Sequence, residues 1–265
     1  MMCLLSPAKK LDYVSPLPTR KASQPRLLDR AEELIGVMRQ KSPDEVADLM
    51  HLSPDLAALN VERYQDFTTP FTRRNARPAA LAFAGDVYQG MAPAQRFGER
   101  DWTEAQKTVR ILSGLYGLLR PLDLVQPYRL EMGTRVRTDR GANLYDYWGT
   151  DLTDLVNADL AESPGADVVV NCASAEYFGA VVPEKLDGRL VSPRFLDEDT
   201  RGQYRVVSFL AKRARGELAA WLVLNRVRTA RALRDFDGGG YRYSPEHSTP
   251  DSPAFTRPRA VPPLR

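Results

Sequence analysis

Apolar and polar positions along the chain predict both helices and buried strands. Residues 25–65 carry apolar side chains at helical spacing, and residues 42–45 (SPDE) within them have the form of a capping box. Short apolar runs at 2–5, 79–84 and 167–172 are typical of strands that are buried on both faces. The pattern predicts a mixed α/β (α+β) fold, a single compact domain in which a mixed sheet is flanked by helices.

The remaining apolar segments predict further elements of the same kinds. They are a helix over 102–109 that leads into a strand over 109–112, a helix over 145–160, neighbouring strands over 189–197 and 203–210, and a basic helix over 217–233. The last 22 residues contain six prolines and little regular spacing of apolar residues. We therefore expect one domain over residues 1–243 and a proline-rich, irregular tail over residues 244–265.

A stretch rich in glycine and leucine, residues 112–133 (LSGLYGLLRPLDLVQPYRLEMG), lies near the middle of the sequence. Gly114 and Gly117 allow a tight turn or a close approach by another group, and Arg120 and Arg129 follow them. Such a turn, with apolar packing and a following arginine, is what a helix–hairpin–helix uses when its backbone amides meet a phosphate. The same pattern is typical of a buried structural turn, so both interpretations stay open.

Polar side chains follow the predicted strands near the start, the middle and the second half of the chain. Ligand sites of α/β proteins lie at the carboxyl ends of strands, so these residues predict one polar cleft. Ser6 and Pro7 have the form of a helix start, and Lys9 beyond them is predicted to bind an anion, although a surface lysine would look the same. The residues expected around the cleft are Lys9, Asp86, Asn171, Ser174, Glu176 and Arg215.

The stretch at 112–133 closely resembles the matching segment of the YaaA family, the bacterial peroxide-stress resistance proteins. Further segments match in family order: LLSPAKKLDY at 4–13, ARPAALAFAGDVYQG at 76–90, YDYWG at 145–149, VVNCASAEYF at 169–178 and VSFLAKRARG at 207–216. The resemblance implies a cytoplasmic bacterial protein with a mixed α/β fold, a positively charged cleft and a helix–hairpin–helix element. It also implies DNA binding and a role in limiting iron-dependent oxidative damage to DNA and protein.

Charge is unevenly distributed along the sequence. The formal net charge is +3, but residues 201–265 hold 13 Lys and Arg against 5 Asp and Glu, whereas residues 1–200 hold 24 against 29. A basic C-terminal region favours a polyanion as partner, and a solvated basic helix without a partner explains it equally well. Lys212, Arg213 and Arg215 follow the strand predicted over 203–210, and we expect them to contact a nucleic-acid backbone.

Several function classes lack their sequence signals. No apolar run approaches the length of about 18 residues that a membrane span needs, and the N-terminus lacks a signal-peptide pattern. Cys3 and Cys172 are the only cysteines, which favours a reducing cytoplasm over a disulfide framework. With two histidines and no clustered cysteines, neither a metal site nor another cofactor is expected.

Two hypotheses from different classes follow from these patterns. In the first, the chain is a DNA-binding protein of the peroxide stress response that makes largely sequence-independent backbone contacts through Gly114, Gly117, Arg120, Arg129, Lys212, Arg213 and Arg215. In the second, it is an enzyme that acts on a small anionic or nucleotide-like ligand in the cleft, with the catalytic residues Lys9, Asp86, Asn171, Ser174 and Glu176. Carboxylates in a phosphate-binding cleft favour the enzyme. We expect the first function, because the resemblance implies it.

Overall fold

Short strands and helices alternate through residues 1–259, the part of the chain that this computed structural model describes. The strands are β1 (Met2–Leu5), β2 (Arg77–Pro78), β3 (Val109–Ser113), β4 (Gly117–Leu119), β5 (Leu124–Val125), β6 (Val168–Asn171), β7 (Arg189–Val191), β8 (Arg194–Glu198), β9 (Tyr204–Arg205), β10 (Arg242–Tyr243) and β11 (Ala254–Arg257). The α-helices are α1 (Leu28–Arg39), α2 (Pro43–Met50), α3 (Pro54–Asp66), α4 (Ala79–Ala82), α5 (Asp86–Met91), α6 (Pro93–Arg96), α7 (Glu99–Thr108), α8 (Leu144–Trp148), α9 (Asp151–Glu162), α10 (Ala175–Phe178) and α11 (Ser208–Leu224). Short 3₁₀ helices lie at Pro183–Lys185, Arg231–Asp235, Gly238–Gly240 and Pro245–His247.

Five strands form the central sheet, in the order β4-β3-β1-β6-β7. Strands β1, β3, β6 and β7 run parallel, and β4 pairs antiparallel with β3. Every residue of β1 and β3 is buried, as expected of strands in a sheet with both faces covered. The mixed α/β fold predicted from the sequence is confirmed, as one compact unit with several sheets flanked by helices.

A second sheet, β10-β11-β8-β9, contains a strand from the predicted tail. In β11, Phe255 is fully buried and packs against Phe195 and Phe236. The prediction of an irregular tail is therefore wrong over Ala254–Arg257, while residues 260–265 lie outside the described part of the chain. Of the prolines that suggested irregularity, the four within residues 1–259 fall outside the strands, where the missing N–H removes no ladder bond: Pro245, Pro250, Pro253 and Pro258.

The helices predicted over residues 25–65 are confirmed as α1, α2 and α3. The capping box of α2 is present: the Ser42 side chain accepts the Glu45 N–H, and the Glu45 carboxylate accepts the Ser42 N–H at 2.7 Å. The helix predicted before the strand at 109–112 is also present, as α7 running directly into β3. Segments with complete local signals thus fold as their own sequence indicates.

The segment after β1 is not the helix that Ser6 and Pro7 suggested. It runs beside residues 79–84, where the Ala84 N–H donates to the Lys10 carbonyl oxygen at 2.9 Å and the Asp12 N–H to the Ala82 carbonyl oxygen at 2.8 Å. Residues 79–82, predicted as part of a strand, form the one-turn helix α4. Alanine is the best helix former and this run lacks β-branched residues, so its apolar character does not make it a strand.

Two longer predictions also differ from the structure. Gly149, with a φ of +52°, separates α8 from α9 within the single helix predicted over 145–160. The strand predicted over 203–210 is confined to β9, and α11 begins at Ser208. Buried residues recur at helical spacing from the start of α11, at Ala211, Ala214, Leu218 and Leu222. The basic residues predicted to follow a strand are therefore inside a helix.

Residues 112–133 contain a β-hairpin and no helix. The Ser113 side chain accepts the Tyr116 N–H at 2.9 Å across the turn between β3 and β4. Gly117 has a φ of +69°, and any side chain there would press on Leu27, Trp148 and Leu152. The predicted helix–hairpin–helix is therefore wrong for this stretch, and the alternative interpretation, a buried structural turn, is correct.

Candidate functional site

Strands β1 and β6 are neighbours in the central sheet, and the chain that leaves each of them turns to an opposite side of the sheet. The next strand of this sheet after β1 is β3 on one side, and after β6 it is β7 on the other. The crevice beyond the carboxyl ends of such a pair is the usual ligand site of an open α/β sheet. Ser6 and Ser174 follow the two strands there; the Ser174 N–H donates to Ser6 Oγ at 2.8 Å, and the two Oγ atoms are 3.3 Å apart.

Two carboxylates are associated with the segments that follow β1 and β6: Glu131 contacts Lys9 of the first, and Glu176 belongs to the second. Lys9 Nζ is 2.7 Å from one oxygen of Glu131, and Arg129 Nη2 is 2.9 Å from the other. The Glu176 carboxylate accepts the Gly133 N–H at 3.0 Å. The predicted residues Lys9 and Glu176 are thus both held by the segment 129–133. Sequence reasoning did not assign Glu131 a site role, although its position two residues after Arg129, with the opposite charge, was a signal.

The remaining predicted cleft residues are placed differently. Arg215 reaches the turn after β6, where its Nη1 donates to the Ala173 carbonyl oxygen at 3.4 Å. Asn171 Oδ1 accepts the Ala173 N–H at 3.0 Å in the same turn. Asp86 begins α5, and the Gly85 before it is packed against Ala8 of the segment after β1. Asn171 and Arg215 therefore both contact Ala173. Asp86 is connected to the site only through the packing of its neighbour Gly85 against Ala8.

Two tyrosines, the buried Tyr88 and the partly buried Tyr145, support the loops of the site. Tyr88 Oη donates to the Ser6 carbonyl oxygen at 3.0 Å, and Tyr145 Oη donates to the Glu176 carbonyl oxygen at 2.9 Å. Burial raises the pKa of Tyr88 and of Tyr177 well above the usual range. Both phenols therefore stay protonated at neutral pH, and Tyr88 holds Ser6 in place as a hydrogen-bond donor.

A cavity of about 1090 Å³ opens beside Tyr88. Its polar and charged lining includes Lys10, Asp12, Arg63, Tyr88, Gln89 and Arg213. None of the six residues predicted around the cleft lines this cavity, although Lys10 follows Lys9. Arg213, which the sequence predicted as a contact to a nucleic-acid backbone, does line it. Arg63 was missed entirely, because it comes from α3, where the helical pattern carried no sign of chemistry.

Helices α5 and α11 cross in direct contact, which decides where the basic residues of α11 point. A side chain at Gly216 would collide with the Val87 carbonyl oxygen, and one at Gly90 with the Arg213 carbonyl oxygen. Arg213 and Arg215 are only partly exposed. They therefore face the cavity and the turn after β6, respectively.

A second group of side chains on and before α11 is exposed. The Arg205 side chain is 69% exposed, with its Nε 3.7 Å from the Asp199 carboxylate, Phe209 is 61% exposed, and Lys212 is also on the surface. Phe209 and Lys212 are three residues apart, so they lie on the same face of the helix. We call Arg205, Phe209 and Lys212 the α11 surface.

The other predicted DNA contacts are occupied or buried. Arg120 Nη2 lies 2.9 Å from the buried Asp123, and Arg129 pairs with Glu131. Gly114 and Gly117 are both buried, and a side chain at Gly114 would collide with the Leu130 carbonyl oxygen. The prediction that these glycines contact a phosphate directly is therefore wrong. Groups of the protein's own core occupy the space that a side chain would take at each of them.

No helix of residues 1–259 is long and apolar enough to cross a membrane. Within this part of the chain, no group of three or more His, Cys, Asp and Glu side chains is arranged to hold a metal ion. Cys3 on β1 and Cys172, the residue after β6, are free and buried, and hydrogen bonding with Cys172 and burial raise the pKa of the Cys3 thiol. A thiol in this state is a weak nucleophile, which fits packing rather than catalysis.

Comparison with known proteins places this geometry in a family. A family model described as peroxide stress protein YaaA matches residues 1–247. The chain belongs to the YaaA family. A UPF0246 protein of Cellvibrio japonicus is 49% identical over 98% of this chain and 100% of its own length. UPF0246 proteins of Marinomonas sp. (50% identical over 100% of both chains) and of Aromatoleum aromaticum (51% identical over 97% of this chain and 99% of its own) are similar too. The resemblance seen in the sequence is therefore confirmed as YaaA membership.

Proposed function

We propose that this member of the YaaA family is a DNA-binding protein of the peroxide stress response that limits iron-dependent oxidative damage to DNA and protein. The observation that carries the DNA-binding part is the α11 surface. Its cations, Arg205 and Lys212, can neutralise phosphates whatever the base sequence, and the exposed Phe209 ring can stack on an unpaired base. The first turn of α11 contains no acidic residue, so the helix dipole adds to the attraction for phosphate.

This proposal shifts the interface from the residues that the sequence favoured. Lys212 keeps its predicted role, and Arg205 and Phe209 join it. Arg213 and Arg215 are partly buried, so they contribute positive potential behind the surface rather than direct contacts. Arg120 and Arg129 stay predictions, since their side chains are 27% and 16% exposed and each lies 2.9 Å from a carboxylate, whereas Arg205 is 69% exposed and lies 3.7 Å from that of Asp199.

Fluorescence anisotropy with a labelled duplex over a salt series tests the proposal. Each neutralised phosphate contributes about −0.9 to the slope of log K against log salt concentration. The double variant Arg205→Gln, Lys212→Gln should therefore flatten the slope by up to about 1.8 and weaken binding similarly for unrelated sequences. Phe209→Ala should lower the affinity for single strands without changing the slope.

Lys185→Gln is the matched control, because Lys185 is an exposed lysine in a 3₁₀ helix elsewhere on the chain. It should keep the affinity and the slope of the wild type. Thermal melts of all variants check that each is folded. A double variant that binds like the wild type would remove the α11 surface from the interface.

Survival of cells under hydrogen peroxide tests the stress role. Cells lacking the gene are supplied with the wild type, the double variant or Lys185→Gln, with and without a cell-permeable iron chelator. We expect the double variant to fail in restoring survival and the chelator to abolish the difference. A deficit that persists under chelation would count against the role in iron-dependent damage.

A second candidate function is an enzyme that acts on an anionic substrate at the serine pair. The favouring observation is the convergence of Lys9, Glu131 and Glu176 beside the carboxyl ends of β1 and β6. Glu176 is exposed and oriented by the Gly133 N–H, as a general acid or base would be. Glu176→Gln keeps the hydrogen bond but removes the charge. Loss of peroxide resistance with unchanged DNA affinity would support the enzyme; unchanged resistance and affinity would identify Glu176 as structural.

A further inference from the structure

The large cavity beside Tyr88 has an excess of positive charge, and DNA binding at the α11 surface does not account for it. Among the described residues, its lining contains the cations Lys10, Arg63 and Arg213 against the single carboxylate of Asp12. These residues come from three separate parts of the fold, the segment after β1, α3 and α11, so the fold itself brings the positive charges together. A concave, partly apolar space with excess positive charge fits an anionic small molecule.

The one carboxylate is engaged by its own backbone. Asp12 Oδ1 accepts the N–H groups of Val14 and Ser15, each at 2.9 Å. These bonds and one with the Ser15 hydroxyl lower the pKa of Asp12 to about 2, so it stays ionised while it closes its own turn. It is therefore a structural anion of the loop, and the cavity keeps its positive excess.

Arg63 is the clearest sign of a missing anion. Its guanidinium donates to Asn60 Oδ1 at 3.2 Å, and within residues 1–259 no carboxylate lies within ion-pairing distance of it. Burial lowers the pKa of Arg63; Tyr13 and Tyr64 oppose this shift, and the nearby Arg129 adds to it. A partly buried cation beside another cation is costly unless an anion compensates it.

Apolar side chains form the rest of the cavity wall, among them Leu81, Phe83 and Pro127. The volume of about 1090 Å³ is slightly above the roughly 300–1,000 Å³ typical of small-molecule sites. Four of the segments in which the chain resembles the YaaA family, at 4–13, 76–90, 112–133 and 207–216, contribute to the lining. A ligand that satisfies this lining needs both an anionic group and an apolar, preferably planar, body.

We propose that the cavity binds a nucleoside 5′-phosphate, with the phosphate at Lys10, Arg63 and Arg213 and the base against the apolar wall. The same chemistry is offered by a free mononucleotide and by the 5′-phosphorylated end of a nucleic-acid strand. Arginine suits this role because its planar guanidinium can hold two phosphate oxygens at once.

Isothermal titration calorimetry with AMP, adenosine and inorganic phosphate tests the proposal on the whole protein. AMP should bind more tightly than either fragment. Arg63→Gln should weaken AMP at least about tenfold, the effect of losing a charge-assisted hydrogen bond, and leave any weak binding of adenosine unchanged. Gln89→Glu, which adds a carboxylate to an exposed position of the lining, should also weaken AMP.

Arg74→Gln is the control, since Arg74 is exposed and outside the lining. The ligand-free Arg63→Gln protein should melt no lower than the wild type, because the change removes an uncompensated, partly buried charge. A 5′-phosphorylated hexanucleotide that binds more tightly than AMP, and loses this advantage without its phosphate, would identify the strand end as the source. Equal binding of the two would identify the free nucleotide.

Absence of AMP binding, or equal AMP affinity in the wild type, Arg63→Gln and Gln89→Glu, would overturn the proposal. Arg205 and Lys212 do not line the cavity, so the double variant Arg205→Gln, Lys212→Gln should keep the AMP affinity of the wild type. Failure at the α11 surface and failure at the cavity are therefore distinguishable.

Discussion

Asp159→Asn should lower the free energy of unfolding by about 3–5 kcal/mol, the cost of breaking a buried ion pair by removing one partner. The Asp159 side chain is 8% exposed, and its two oxygens accept Arg26 Nη1 and Nη2 at 2.6 and 2.7 Å. Arg110 Nε also donates to it, at 2.5 Å, and the Arg110 side chain is 5% exposed. The carboxylate thus ties α9 to β3, and its neutralisation leaves Arg110 buried without a counter-charge.

The same contacts fix the sign of the pH dependence. Burial opposes ionisation of Asp159, but hydrogen bonds from Arg26 and Arg110 outweigh it and lower the pKa of the carboxyl. A pKa that is lower in the folded state than the unfolded value of about 3.9 contributes stability that is complete above that value. This contribution is lost as the pH falls through the folded pKa. The difference between the wild type and Asp159→Asn should therefore be constant between about pH 5 and 7 and shrink below about pH 4.

Urea unfolding followed by tryptophan fluorescence at pH 7, 5 and 3.5 measures both effects. Asp154→Asn is the matched control, because Asp154 is an exposed aspartate of the same helix, and it should change stability by less than about 0.5 kcal/mol. A loss of under about 1 kcal/mol in Asp159→Asn, against the 3–5 kcal/mol expected for a buried pair, would refute the reasoning. So would a difference that stays constant down to the lowest pH.

Three further predictions concern packing. Gly216→Ala should destabilise by at least about 1–3 kcal/mol in urea unfolding because its side chain meets the Val87 carbonyl oxygen, whereas Gly36→Ala, at an open position inside α1, should stabilise by about 0.5–1 kcal/mol. Phe255→Ala should lower the free energy of unfolding by about 3–5 kcal/mol in the same assay. A negligible loss would contradict the burial of Phe255 and support an irregular tail over residues 254–257. Cys3 and Cys172 should react with a thiol reagent only in denaturant, and rapid labelling of the native protein would contradict their burial.

Elements with complete local signals could be predicted from the sequence, and those that depend on distant partners could not. Helix α2 carries its own cap, proline and acidic first turn, so residues 42–50 suffice to define it. Strand β11 forms because Phe255 fits beside Phe195 and Phe236, and a proline-rich sequence shows nothing of that fit. The glycines at 114 and 117 pose the same difficulty: the sequence shows that something approaches them closely, but not whether it is phosphate or the protein's own core.

Direction around a helix determines which basic residue can meet which partner. Lys212 and Arg213 are both basic and adjacent in sequence, yet the side chains of consecutive residues in a helix point about 100° apart. Ala211 and Ala214 face the core, which leaves Lys212 exposed with Phe209 and turns Arg213 towards the cavity. The sequence predicts a strand over 203–210 and a helix only from residue 217. Residues 212–215 then lie in no helix, so the different directions of Lys212 and Arg213 could not be predicted. One helix therefore carries cations for two proposed sites, so Lys212→Gln should weaken duplex binding alone, whereas Arg213→Gln should weaken AMP binding more strongly than duplex binding.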